Sequence, residues 1–126
     1  MARKAANPIR TYRPKSKYRS RKVSIDGYTF DSTKEGNRYQ ELKFLEATGH
    51  IKNLQLQKPF VLQEAFRDRD GKWVREIRYI CDFYYFDKDK GEYVIEDVKS
   101  SYTKDLAVYR MKKKMMAYKG YEIQEV

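Results

Sequence analysis

The sequence has very little cysteine and histidine. Cys81 is the only cysteine among 126 residues, and His50 is the only histidine. A lone cysteine excludes an internal disulfide, so the reducing cytoplasm is the expected location. The pair is also too few for a Cys/His zinc pattern, a histidine-metal nuclease or a His-based triad. We therefore expect Cys81 to fill the core and His50 to serve a loop or a helix end.

Long apolar runs are missing as well. No stretch of about 18 apolar residues occurs, so no membrane-spanning helix is expected. The first ten residues, MARKAANPIR, lack the apolar segment of a secretory signal. No glycine-rich loop of the kind that cradles phosphates is present. With 126 residues, the chain fits one domain and leaves no room for a separate recognition domain.

Basic charge is abundant but unevenly placed. The chain carries 28 Lys or Arg against 18 Asp or Glu, and residues 1–22 hold nine of the basic side chains and no acid. Such a segment repels itself and predicts a disordered arm, 1–22, before a folded domain, 23–126. An arm of this kind commonly binds nucleic-acid phosphates, although it can also be a solubilising tail. The candidate binding residues in it are Arg13, Lys15, Lys17, Arg19, Arg21 and Lys22.

The spacing of apolar residues and turn signals predicts one α+β domain with a mixed sheet flanked by helices. A hairpin is expected over Val23–Phe30, with its turn at Asp26-Gly27. Further along, the expected elements are a helix over 33–48, extended segments over 51–62 that are broken at Pro59, and strands over 60–66 and 73–86. A second hairpin joining 77–87 to 92–99, a helix over 103–118 and an edge strand over 121–126 are expected to follow.

The last helix carries the second basic cluster. Lys112, Lys113 and Lys114 flank an apolar stripe and are candidates for contact with the phosphate backbone. The stripe, which we expect to face the core, consists of Ala107, Met111, Met115 and Tyr118.

The second hairpin contains the most informative acids. A four-residue loop at 88–91 pairs residues whose numbers sum to 179, which sets Asp82 opposite Asp97. Lys99 then shares their face and Glu96 points the other way. Two facing carboxylates repel each other in a strand interior, and a bound Mg²⁺, or Mn²⁺ in its place, would relieve that repulsion. A one-residue slip would instead make Glu96 the partner of Asp82.

These residues also have a simpler interpretation. Asp97 and Lys99 could form an ordinary ion pair on a strand that faces solvent. Glu35, on the inward stripe of the first helix, could approach the same metal. It also matches a capping box with Ser32 as N-cap, and its position alone favours the cap.

The ordered set of motifs resembles the PD-(D/E)XK nuclease superfamily. It comprises Glu35 on an early helix, Asp82 on a strand, Asp97-Val98-Lys99 on the next strand, and a basic helix. The stretches Asp31–Leu45, Ile51–Leu56, Asp82-Phe83 and Glu96–Lys99 further resemble a small phage-encoded family of unknown function that is suspected to contain endonucleases of the Holliday-junction-resolvase type. Cys81 stands where the superfamily's name has proline.

This resemblance implies an αβββαβ core and a Mg²⁺-dependent phosphodiesterase. It makes Asp82 and Asp97 metal ligands, Lys99 the catalytic lysine and Glu35 an auxiliary acid. Because so small a domain has few elements for reading bases, we expect a structure-specific nuclease acting on branched DNA such as Holliday junctions, in phage recombination or replication. Symmetric cutting of a junction needs two active sites and so predicts a homodimer. The alternative is a non-catalytic nucleic-acid-binding protein that uses the arm and the last helix, and single strands, flaps and RNA stay open as substrates.

Overall fold

A computed structural model describes residues 3–4 and 21–126 of the chain. Residues 1–2 and 5–20, most of the expected basic arm, lie outside the described residues, as do the candidate binding residues Arg13, Lys15, Lys17 and Arg19. None of the helices in the described ranges is long and apolar enough to cross a membrane.

The described residues form short strands and two α-helices. The helices are α1 (Thr33–Ala47) and α2 (Ala107–Tyr118), and a short 3-10 turn covers Thr103–Asp105. The strands are β1 (Arg3–Lys4), β2 (Val23–Ile25), β3 (Tyr28–Phe30), β4 (Ile51–Leu56), β5 (Pro59–Gln63), β6 (Phe66–Arg67), β7 (Trp73–Val74), β8 (Ile77–Ile80), β9 (Phe83–Asp87), β10 (Glu92–Asp97) and β11 (Ile123–Glu125).

A four-stranded mixed sheet lies at the centre, in the order β11-β10-β9-β4. Strand β11 runs parallel to β10, and the other neighbours are antiparallel. The helices and strands that build this layer follow the order α1, β4, β9, β10, α2, β11. The α+β class, the αβββαβ order and the final edge strand expected from the sequence are therefore confirmed.

The sheet has a separate apolar core on each face. The core on the face of α1 contains Phe30, Tyr39, Leu42, Ile51, Phe83, Tyr85 and Val94. The core on the face of α2 contains Phe60, Leu62, Tyr79, Cys81, Ile95, Tyr109, Met116 and Ile123. Burial of these side chains away from water on both faces is what holds the helices against the sheet.

The first hairpin and α1 form as the sequence predicts. Asp26 and Gly27 have φ values of 54° and 79°, the left-handed pair that a tight two-residue hairpin turn requires. Helix α1 then packs closely on this hairpin, because a Cβ on Gly36 would lie only 2.5 Å from Cγ2 of Val23. The hairpin thus fixes the start of α1, where Glu35 lies.

The expected continuous strand over 77–87 is wrong. The strand is interrupted at Cys81 and Asp82, where the chain stops pairing with β5 and begins to pair with β10. Before the break, β8 pairs with β5 in a two-stranded ribbon that continues into β6 and β7. After it, the backbone N–H of Asp82 donates to the Glu96 carbonyl at 3.1 Å and β9 joins the central sheet. Eight of the ten residues across 77–86 are apolar or aromatic on both sides of this exchange, so sequence patterns do not reveal it.

The expected helix over 103–118 also differs from the structure. Leu106 is extended, with φ −64° and ψ 132°, so a separate 3-10 turn precedes α2. Of the predicted core stripe only Met115 packs against the core, whereas Ala107 is exposed, Met111 is 53% exposed and Tyr118 is 94% exposed. The buried face instead contains Tyr109 and Met116, with the half-buried Lys112 and Lys113 between them. Long lysine stems can cover apolar surface while the ammonium stays in water, so α2 is rotated relative to its apolar pattern.

Candidate active site

The hairpin between β9 and β10 has the register predicted from its loop length. Asp87 pairs with Glu92 and Phe83 with Glu96, so every pair sums to 179. The same alternation brings Asp82 and Asp97 together at the end of the hairpin. Both carboxylic acids are buried.

Asp97 lies in a polar contact network within this buried place. The Tyr79 hydroxyl donates to its Oδ2 atom. Burial, followed by hydrogen-bonding contact with the Asp82 carboxyl and the charge of that group, raises the pKa of Asp97 to about 8. Two carboxyl groups in contact cannot both hold a full negative charge without a cation or a proton between them.

Backbone hydrogen bonds position Asp82 at the interruption between β8 and β9. Its Oδ2 atom accepts a hydrogen bond from the backbone N–H of Val98 at 2.9 Å. Its own carbonyl accepts from the backbone N–H of Gln57 at 3.2 Å. The partner exchange between the ribbon and the sheet therefore places this acid next to the end of β10.

Lys99 lies beside the two acids. Its Nζ atom is 3.6 Å from Oδ1 of Asp97 and 4.1 Å from the ring centre of Tyr109 on α2. Its backbone is held from two sides: the N–H donates to the Val126 carbonyl at 3.0 Å, and the carbonyl accepts from Nζ of Lys34 at 2.7 Å. These contacts hold the ammonium group close to Asp97.

Glu35 approaches the same place from α1. Ser32 caps the helix, because its Oγ accepts from the backbone N–H of Glu35 at 3.1 Å. The Glu35 side chain is buried, and burial together with the nearby charge of Asp82 raises its pKa to about 7. The cap and the approach to the acids thus coexist at this residue.

Glu96 lies on the other face of β10 and is fully paired there. Its carboxylate accepts from Nε of Arg38 at 2.8 Å and from Nη2 at 2.6 Å, and the Tyr85 hydroxyl also donates to it. The hydrogen bonds to Glu96 raise the pKa of Arg38 above its ordinary value. Because the register does not slip, Glu96 does not face Asp82.

Three residues at the site escaped the sequence analysis: Tyr79, Tyr109 and Gln57. Nothing in the sequence separates the two tyrosines from the other ten. Gln57 has a left-handed φ of 58°, and its Nε2 atom is buried without a hydrogen-bond partner among the described residues. A strained backbone and an unsatisfied donor are typical of functional positions, but neither is visible in a residue name.

The remaining candidate cations contact other groups, although Glu125, the partner of Lys113, is the register neighbour of Asp97 on β11. On α2, Lys113 pairs with Glu125 at 3.1 Å and Lys114 is exposed, while Lys22 lies 3.7 Å from Asp31 and Arg21 is exposed. His50 pairs with Asp89 at 3.1 Å in a surface loop.

Cys81 is buried in the core, and burial raises the pKa of its thiol to about 12. A thiol in that state is inert, which agrees with the structural role expected of it.

A family model for proteins of unknown function, DUF1064, matches residues 15–126. The chain belongs to this family. Neither the curated proteins nor the solved structures contain a significant match to it. Membership of the PD-(D/E)XK superfamily stays a prediction. Because the family has no known function, the function proposed for this chain rests on the geometry of its own residues.

The site of this DUF1064 protein suits a magnesium ion only with outside ligands. Within 3–4 and 21–126, no three His, Cys, Asp or Glu side chains form a ready-made metal site. Two acids in contact, Asp82 and Asp97, are present. Mg²⁺ in phosphoryl-transfer sites is commonly held by one or two carboxylates, with water and substrate phosphate filling its other positions. The donor set fits that kind of partial site and does not fit an enclosed protein cage.

Proposed function

We propose that this protein is a Mg²⁺-dependent endonuclease that hydrolyses phosphodiester bonds in DNA. The observation that carries the proposal is the placement of two buried acids, Asp82 and Asp97, at the same end of the β9–β10 hairpin, with Nζ of Lys99 3.6 Å from Oδ1 of Asp97. Two buried acids in contact destabilise the fold, and a bound hard cation is the simplest way to relieve their repulsion. Mn²⁺ should substitute for Mg²⁺, since both prefer oxygen ligands.

Each residue has a defined role in this proposal. Hydrolysis forms a bond from a water oxygen to phosphorus and breaks a phosphorus–oxygen bond; the water loses a proton and the leaving oxygen gains one. Asp82 and Asp97 would hold the metal ion, which neutralises phosphate charge and lowers the pKa of bound water. Lys99 would hold the attacking water or stabilise charge on the phosphate oxygens. Glu35 would assist as an auxiliary acid near Asp82.

The proposed substrate is branched DNA, with Holliday junctions as the first example, in phage recombination or replication. Support comes from the small domain, which leaves few elements to read bases, and from basic residues on α2 and in the arm. A homodimer would supply the two active sites that symmetric junction cutting needs. The exposed apolar side chains of α2, Val108, Met111 and Tyr118, offer a surface on which two copies could pack.

The test compares a synthetic four-way junction with linear duplex of the same sequence, in Mg²⁺ and in EDTA. We expect nicking of the junction in Mg²⁺ only, and loss of nicking with retained binding for Asp82→Asn. Equal cutting of both DNAs would remove the junction claim and leave the nuclease claim. Binding without cleavage in Mg²⁺ or Mn²⁺ would favour the alternative, a non-catalytic nucleic-acid-binding protein.

A further inference from the structure

Five aromatic rings form a continuous row on the face of the sheet that also carries Asp82 and Asp97. We call this row the aromatic platform; its members are Phe86, Tyr93, Tyr84, Phe60 and Tyr121. Successive ring centres lie 5.1, 4.9, 5.7 and 5.1 Å apart, and the rings of Tyr84 and Tyr93 are stacked at 8°. Such contacts pack the rings into one row, in which Phe60 is buried and Tyr84 and Phe86 are half-buried.

Side-chain alternation places the platform and the acids on one face. Along β9, Tyr84 and Phe86 follow Asp82 at two-residue steps, and along β10, Tyr93 precedes Asp97 by four. Phe86 lies roughly 13 Å from Asp82 along the strand, at about 3.3 Å per residue. A strand of nucleic acid held at the acids could therefore continue over the rings.

Two positively charged side chains, those of Lys52 and Lys58, lie over rings of the platform. Nζ of Lys52 is 5.0 Å from the ring centre of Phe86, and Nζ of Lys58 lies 5.4 and 5.2 Å from those of Phe60 and Tyr84. The nearest acids on the same strands, Asp87 and Glu92, pair with each other and alternate to the opposite face. Lysines over aromatic rings, with the neighbouring Asp87 and Glu92 on the opposite face, favour an anionic partner.

Part of the platform is open to solvent: Tyr93 is 49% and Tyr121 43% exposed. Flat rings with nearby cations match a partner that combines flat bases with phosphates. In a duplex the base faces are already stacked on one another, so rings on a sheet can reach them only where bases are unpaired.

We propose that the aromatic platform binds an unpaired strand of the nucleic-acid substrate by stacking its bases, with Lys52 and Lys58 contacting phosphates. The inference rests on the proposed function in treating this strand as part of a cleaved substrate. Within branched DNA, it adds a preference for junctions and flaps that have unpaired bases at or beside the cut.

The test measures binding by fluorescence anisotropy in EDTA, where cleavage is absent, with a labelled single strand and a hairpin duplex of equal length. Tyr93→Ala should weaken single-strand binding about tenfold and change duplex binding less than twofold. Tyr93→Phe should restore binding to within twofold of the wild type, because it keeps the ring. Phe44→Ala is the matched control, since Phe44 is 67% exposed on α1, and it should bind like the wild type.

Several outcomes would overturn the inference. They are unchanged single-strand binding by Tyr93→Ala, an equal loss for both probes, and a change from dimer to monomer in size-exclusion chromatography, which would assign the platform to a second copy of the chain. Cleavage separates this inference from the proposed function. Cleavage by a Tyr93→Ala protein with unchanged binding rejects the platform alone, whereas Tyr93-dependent binding without cleavage in Mg²⁺ rejects the nuclease alone.

Discussion

Glu96 and Asp97 are neighbours on one strand, both buried, and they have opposite surroundings. Glu96 faces a cation and receives hydrogen bonds from Arg38 and Tyr85, so its charge is satisfied within the fold. Asp97 faces another acid, Asp82, and its pKa rises to about 8. A buried carboxylate paired with a cation of the chain has a structural role. A buried carboxylate that faces a second carboxylate indicates a site for a cation that the chain does not itself supply.

The largest expected effect comes from neutralising Asp97. Asp97→Asn should lower DNA cleavage by roughly 10³-fold or more, because a lost metal ligand removes several kcal/mol of transition-state stabilisation. Without metal its thermal stability should equal that of the wild type at neutral pH, because a pKa of about 8 keeps the Asp97 carboxyl largely protonated, and should exceed the wild type above pH 8, where Asp97 ionises beside Asp82. Cleavage rates and melting temperatures of the two purified proteins check this. Wild-type cleavage by Asp97→Asn would show that the acid pair is structural.

Lys99→Ala should reduce cleavage by about 10²-fold and leave DNA binding within a factor of a few of the wild type. The lysine lies at the acids and would act on the reacting phosphate more than on overall affinity. Lys43→Ala is the matched control, because Lys43 also pairs with an acid, Glu46, at 3.2 Å but lies about two helical turns beyond Glu35 on α1. An equal loss of cleavage in both variants would contradict a special role for Lys99.

Glu96→Gln should show the reverse pattern to Asp97→Asn. Removing the charge leaves Arg38 with Glu41 as its remaining carboxylate partner. We expect a loss of roughly 2 kcal/mol in unfolding free energy, reduced from the cost of a fully buried pair because Arg38 is partly exposed. Cleavage per folded molecule should not change. Urea unfolding and single-turnover cleavage measure the two quantities. A folded but inactive Glu96→Gln would place Glu96 in the active site.

The smallest effects are expected from removing the hydroxyl groups of the two tyrosines that donate hydrogen bonds to Glu96 and Asp97. Tyr85→Phe removes a hydrogen bond to Glu96 and should cost about 1 kcal/mol of stability without affecting cleavage. Tyr79→Phe removes the hydrogen bond to Asp97 and should change the Mg²⁺ concentration needed for half-maximal cleavage. Metal titrations of both variants distinguish them. If the Tyr79→Phe and Tyr85→Phe proteins needed the same Mg²⁺ concentration, Asp97 and Glu96 would not differ in their relation to the metal.

The contact between Asp82 and Asp97 follows from the sequence because it depends on local rules. A four-residue loop fixes the pairing of β9 with β10, and alternation then decides which side chains share a face. The position of Lys99 follows in the same way. The central αβββαβ order is predictable for a similar reason, since each element has its own periodicity and end signals.

The rest of the site depends on contacts between segments far apart in the chain. Tyr79 reaches Asp97 only because the chain exchanges partners at Cys81, and no local pattern marks that exchange. Tyr109 reaches Lys99 because α2 is rotated, with lysine stems covering apolar surface in place of Met111. Tertiary packing overrides the apolar pattern of the helix in this case.

The most direct test of the central claim is a crystal structure of the protein soaked with Mn²⁺, with anomalous diffraction to locate the ion. We expect an anomalous peak between Asp82 and Asp97, at roughly 2.0–2.3 Å from an oxygen of each, with Lys99 beside it. The same soak of Asp97→Asn should lose the peak. A wild-type crystal with no ion at these acids, or with one only at Glu96, would contradict the account.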